Sequence, residues 1–204
     1  MGFELKDGTG TGNKAQVDGN NQIHVLAVTD TAIQDAVVKG NAYNINTGTI
    51  GLTTSTASAV LYFKNDESPV NGESSIIVDA IAVGIGDGGT KDEKAVITVI
   101  KNPTTGTIID NATAVDMKVN RNFGSSNELS STSLAYKGAE GYTFTNGTDF
   151  AQFYQTGTRG YYNIDTRLGK GSSIGVKIDT QTSAGTTDVY VALIFHRVDG
   201  KNRG

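Results

Sequence analysis

The sequence predicts an all-β domain, built as a sandwich or barrel of short strands, on three observations. β-Formers recur in about ten separate runs, glycine-, asparagine- and proline-bearing turns separate those runs, and helical periodicity does not alternate with them. The composition agrees: 26 of the 204 residues are Gly, only 2 are Pro, and Trp is absent. Many tight turns and few large core residues suit short strands rather than long amphipathic helices.

The elements follow in chain order. Residues 1–21 are polar and glycine-rich without periodicity, and read as an N-terminal arm that orders on binding a neighbour. Residues 22–204 read as one domain. Residues 22–28 begin it with a strand-like run. Thr29 and Asp30 then supply capping chemistry for a single short helix near the N-terminus, over 31–39, with Gly40 as its stop. Ala32, Ile33, Ala36 and Val37 share one face of it.

Strands are expected at 42–46, 50–54, 59–64, 75–85, 95–101, 115–120, 150–155, 161–166, 173–179 and 188–197. In the last of these, Val189, Val191, Leu193 and Phe195 alternate with Tyr190, Ala192, Ile194 and His196, so both faces are largely apolar. The run 75–85 has the same character. Such strands are central in a sheet, or present one face to another subunit. Residues 122–127 and 137–149 read as loops.

Charge and cysteine content remove several function classes. The net charge is −4. The only basic cluster is the short run Arg197, Lys201 and Arg203, too little for a phosphate-tracking surface, so no nucleic acid is expected as partner. Apolar runs are too short to span a bilayer as helices, so no membrane partner is expected. Without cysteine there are no disulfides, thiolate metal ligands or cysteine nucleophiles.

Two motifs match enzyme signatures in letters alone. Gly84-Ile85-Gly86-Asp87-Gly88-Gly89 follows a strand, as a dinucleotide fingerprint does, but a strand and not a helix comes after it. A hairpin loop is the expected reading. Gly171-Ser172-Ser173-Ile174-Gly175 has the spacing of a nucleophile elbow, yet a turn precedes Ser173 and a strand follows it, the reverse of the required order. His196 is a conceivable base with no visible orienting acid. His24 and His196 read as packing or interface residues. Asp87, Asp92 and Glu93 crowd one loop without the register of a calcium-binding hand, and read as a solvated tip. No catalytic residue, metal ligand or cofactor is therefore expected. The aromatic cluster Phe150, Phe153, Tyr154, Tyr161 and Tyr162 has strand spacing and reads as core or subunit contact.

Longer stretches carry a resemblance. They are Gly40-Asn41-Ala42-Tyr43-Asn44-Ile45-Asn46-Thr47-Gly48, Ser58-Ala59-Val60-Leu61-Tyr62-Phe63-Lys64-Asn65 and Lys101-Asn102-Pro103-Thr104-Thr105-Gly106-Thr107-Ile108-Ile109. To these are added Asn120-Arg121-Asn122-Phe123-Gly124-Ser125-Ser126, Tyr136-Lys137-Gly138-Ala139-Glu140-Gly141, Lys170-Gly171-Ser172-Ser173-Ile174-Gly175-Val176 and the run 189–194. Together they resemble tailed-bacteriophage virion proteins of the capsid decoration, or cement, type, over roughly residues 20–198. The resemblance implies an antiparallel β-sandwich of jelly-roll type, acting as a homotrimer on the outer capsid surface after synthesis in the host cytoplasm. Its implied partners are the major capsid protein and further copies of itself. The arm and first strand would make the contacts by strand addition, with Phe3, Leu5, Val17, Ile23 and Val25 as the expected partner-binding side chains.

Two other readings belong to different classes. A host-attachment module, such as a head fibre or tail protein, would set Tyr142, Phe144, Tyr161 or Tyr162 on an exposed concave surface. A polysaccharide depolymerase or esterase would need acids, or Ser173, converging in a cleft.

Overall fold

Strand pairing determines the architecture. The computed structural model describes residues 31–53, 56–67, 74–87, 94–116, 119–129, 132–181 and 185–199. The chain divides into the units Met1–Thr31 and Ala32–Gly204, and every described element belongs to the second. The arm over 1–21, the run 22–28 and the residues Phe3, Leu5, Val17, Ile23 and Val25 lie outside the described residues. The elements are α1 (Ala32–Val38), β1 (Ala42–Asn46), β2 (Ile50–Leu52), β3 (Ser58–Lys64), β4 (Ser74–Asp87), β5 (Lys94–Lys101), α2 (Thr107–Asp110) and β6 (Thr113–Ala114). They continue with β7 (Val119–Asn120), β8 (Leu134–Lys137), β9 (Thr148–Thr156), β10 (Arg159–Leu168), β11 (Ser173–Asp179) and β12 (Thr187–Asp199).

One sheet has the order β10-β4-β12-β1-β7, with β2 also on β12; the other has the order β6-β8-β3-β11-β5-β9. Among the long strands, the first pairs with the last (β1 with β12), the second with the seventh (β3 with β11), the third with the sixth (β4 with β10) and the fourth with the fifth (β5 with β9). A long antiparallel hairpin rolled into two sheets produces this order, which is the jelly roll. All pairings are antiparallel.

The two inner faces meet in one apolar core. Val189, Val191, Leu193 and Phe195 of β12 point into it, as the alternation predicts, opposite Leu61 and Phe63 of β3 and Ile174, Val176 and Ile178 of β11. Phe195 ties the layers together. Its ring stacks on Tyr43 of its own sheet at 5.8 Å and on Phe63 of the facing sheet at 5.1 Å.

β4 departs from simple alternation. Ile194 of β12 faces Ala80, but the next residue, Phe195, faces Val78, so Asp79 is an extra residue in a β-bulge. The bulge exchanges the faces: Ile76 and Val78 point inward before it, Ile81, Val83 and Ile85 after it. The doubly apolar look of 75–85 therefore arises from two half-strands of opposite parity. Strict alternation would have turned Ile81, Val83 and Ile85 outward, forfeiting roughly 1.5–3 kcal/mol each. β3 is also apolar on both sides, but for a second reason. Its outward Ala59 and Tyr62 are covered by Ile108 of α2 and by Tyr142 and Phe144.

Other differences are local. Of the run 115–120, only Val119 and Asn120 lie in a strand among the described residues, as β7, while β6 lies just before the run and in the other sheet. β8 and the one-turn α2 lie where no element was expected. β4 and β5 also lie in different sheets, so the glycine run 84–89 leads into an inter-sheet crossing and not a hairpin. The helix and its stop match their expectation, while Thr29 and Asp30, expected to cap its start, lie outside the described residues. Gly40 has φ +69°, its N–H donates to Val37 O, and the Asn41 N–H donates to Ala36 O, which together close α1 in a Schellman cap.

Because Phe195 is fully buried between the sheets, Phe195→Ala is expected to cost about 3–5 kcal/mol of folding stability. Urea denaturation measures the loss; a change below about 1 kcal/mol would show that Phe195 is not packed between the sheets.

Candidate interaction surface

The groups with enzyme-like spacing are held apart by the fold. Ser173 opens β11 on the outward side of its sheet and is buried. Its hydroxyl donates to the Pro103 carbonyl at 2.7 Å, and its N–H donates to Asn102 Oδ1 at 3.1 Å. His196 lies on the outward side of the other sheet, so the sandwich separates the two. The structure does supply the acid that the sequence left unseen. His196 Nδ1 is 2.9 Å from Asp79 Oδ1 and 3.1 Å from Oδ2, so Nδ1 carries a proton and donates to the carboxylate. Asp79 is the bulge residue of β4, which explains the pair: the histidine on β12 anchors the irregular turn of its neighbour. Around it, a cavity of about 200 Å³ beneath α1 is lined by Ala32, Asp35, Ala36, Lys39, Asn41, Arg197 and Val198. None of these side chains is a hydroxyl or thiol nucleophile.

The glycine fingerprint is equally structural. Gly84 sits on β4 under the Tyr190 ring, which occupies the space that a Cβ would need. Among the described residues no three His, Asp or Glu side chains converge. The Asp87 side chain, Asp92 and Glu93 lie outside the described residues, as does His24. Among the described residues, no helix is long and apolar enough to cross a membrane.

The aromatic residues do not share one surface. Phe153 and Tyr162 stack at 4.5 Å and pack against the core. Tyr142 and Phe144 cover Tyr62 and Ile108. Tyr154 and Tyr161 are exposed, but on outward faces of different sheets, because Tyr154 faces Val96 of β5 and Tyr161 faces Ala82 of β4. No concave aromatic platform is formed from these side chains.

The surface feature that stands out is the loop after β7. Phe123 is 96 % exposed, and Val119 and Val38 are exposed on the segments that flank it. An exposed aromatic on a floppy loop would have little meaning, but this loop is pinned. Asn120 Nδ2 donates to Gly40 O at 2.8 Å and to Asn127 O at 3.0 Å. Asn122 Nδ2 donates to Val38 O, and Asn127 Nδ2 donates to Lys39 O, both at 3.1 Å. Asn122 Oδ1 accepts from the Gly124 N–H, and Asn120 Oδ1 from the Asn122 N–H, as Asx turns. Three asparagines thus fix the loop to the end of α1 and hold Phe123 outward in advance of any contact. The sequence carried a signal for this: asparagines at 120, 122 and 127 around one phenylalanine in a polar stretch. Close by, Asn44 Oδ1 and Arg121 Nη1 are buried without a hydrogen-bond partner.

No protein-family model matches the chain, and no curated protein matches it in sequence.

Burial also fixes how the molecule responds to alkali. Tyr62 is raised above the ordinary phenol value of 10.0, chiefly by burial, against a smaller opposing effect of its hydrogen bond with Ser173; burial raises Tyr162 as well. The folded chain holds these protons more tightly than the unfolded chain does. Stability from this source is intact below about pH 10 and falls as the pH climbs through the raised values. In denaturant titrations at increasing alkaline pH, Tyr62→Phe should flatten that fall; an unchanged slope would count against a buried phenol at position 62.

Proposed function

We propose that this chain is a structural protein of a tailed-bacteriophage particle, a decoration protein that binds the outer capsid surface and reinforces the shell. The observation that carries the reading is the set of turn and strand motifs from Gly40 to Ile194 that resembles such proteins. The geometry is compatible with it. A jelly roll with a continuous core is a rigid scaffold, its Ser173 and His196 are held in structural hydrogen bonds, and the most exposed large apolar side chain among the described residues is a pre-positioned aromatic of the kind that anchors protein interfaces. In this reading the body rests on the shell protein and on further copies of itself. Residues 1–21 and the run 22–28 supply strand addition through backbone hydrogen bonds, with Phe3, Leu5, Val17, Ile23 and Val25 filling side-chain sites. Many weak contacts repeated over a lattice then resist the pressure of the packaged genome.

The test has two parts. Quantitative gels of purified particles should give a copy number comparable to that of the major shell protein, and undecorated shells should bind the full chain but not a chain lacking residues 1–21. A copy number of only a few per particle, or full decoration by the truncated chain, would overturn the reading.

A further inference from the structure

We propose that copies of this chain assemble head to tail into a closed ring, the Phe123 side chain of one copy filling a cleft at the opposite edge of the next. The cleft lies between the sheets, where β5 and β10 end and β11 begins. Ile100, Leu168 and Ile174 form its apolar wall, half-exposed Phe150 stands in its lining, and its volume is about 140 Å³. That is too small for a typical small-molecule site of roughly 300–1,000 Å³. It is close to the ~150 Å³ of an apolar protein cavity that accepts benzene, so a single phenyl ring fits it.

Placement favours a second copy as the source of that ring. Phe123 follows β7, at one lateral edge of its sheet, and the cleft borders β10, at the other edge. Four strand spacings separate the edges, roughly 20 Å. Both features lie at the same end of the strands, because Leu168 pairs with Ile76, Ile76 with Arg197, Ala42 with His196 and Tyr43 with Asn120. A knob and a socket at one height on opposite edges cannot both engage across a two-fold axis. They engage between copies related by rotation about an axis along the strands, a heterologous contact that closes into a ring when that rotation divides the full turn. The asparagine pins lower the ordering cost of docking, since the loop is already fixed in shape.

The test is sedimentation of the full chain beside Phe123→Ser. The full chain should run as one closed oligomer and the variant as a monomer that keeps the circular-dichroism spectrum of the full chain and unfolds cooperatively, because an exposed side chain contributes little to the monomer's fold, whereas loss of association alone lowers the apparent melting temperature. A second measurement keeps Phe123 in place. The chain has no cysteine, so Ser126→Cys combined with Lys101→Cys and a short bismaleimide should give a covalent ladder that ends at the ring's size, while each single-cysteine variant remains uncross-linked. A full chain that is monomeric at every concentration, an oligomer unaffected by Phe123→Ser, or cross-linking of either single variant to itself would overturn the proposal. Particle binding is read separately, so a ring that does not decorate capsids would leave this inference standing and remove the proposed function.

Discussion

β4 runs through the interior of one sheet with one residue more than β12 beside it, and the fold depends on where that residue sits. Asp79 is the added residue. Before it Ile76 and Val78 face the core, and after it Ile81, Val83 and Ile85 do. A β-bulge leaves its extra residue outside the regular ladder, and here the carboxylate is held by His196 Nδ1 from the neighbouring strand. Within this sheet β12 keeps its parity and buries Val189, Val191, Leu193 and Phe195 without interruption. β10 adjusts to the bulge with two residues between the paired Asn163 and Thr166, and so keeps Tyr162, Ile164 and Leu168 inward.

With that register set, the remaining architecture follows from burial. β12 occupies the centre of its sheet between β4 and β1, and Phe195 meets Phe63 across the layers. The second sheet is covered on its outer side over β3 by α2 and the segment bearing Tyr142 and Phe144. The outer face over His196 borders α1. Two side chains with enzyme-like spacing are taken up by this construction: Ser173 donates to the Pro103 carbonyl, and His196 holds the bulge residue Asp79. The Phe123 loop stands exposed, and its asparagines pin it to the end of α1.

Much of the fold was legible in the sequence because strand alternation and turn residues are local signals. β1 and β11 have the expected bounds, and Gly40 ends α1 as expected. Short elements such as β6, β7 and β8 were not legible, since two to four residues carry no period and are recruited by neighbouring strands. The bulge was hidden for a different reason. Ile77 and Ile81 look alike in sequence, and only pairing with β12 decides which one enters the core. The acid beside His196 was hidden by separation in the chain, as Asp79 and His196 meet only through β4–β12 pairing. The surface loop was half legible: its asparagines and phenylalanine were visible, but the bonds to Val38, Lys39 and Gly40 span distant parts of the chain.

The most direct test of the central claim is a double-mutant cycle on Asp79→Asn and His196→Gln, followed by urea denaturation near neutral pH. If the pair anchors the bulge, each single change destabilises the protein and the two are coupled by about 0.5–3 kcal/mol, the double variant losing less than the sum. Strictly additive losses, or single variants as stable as the parent, would contradict the account.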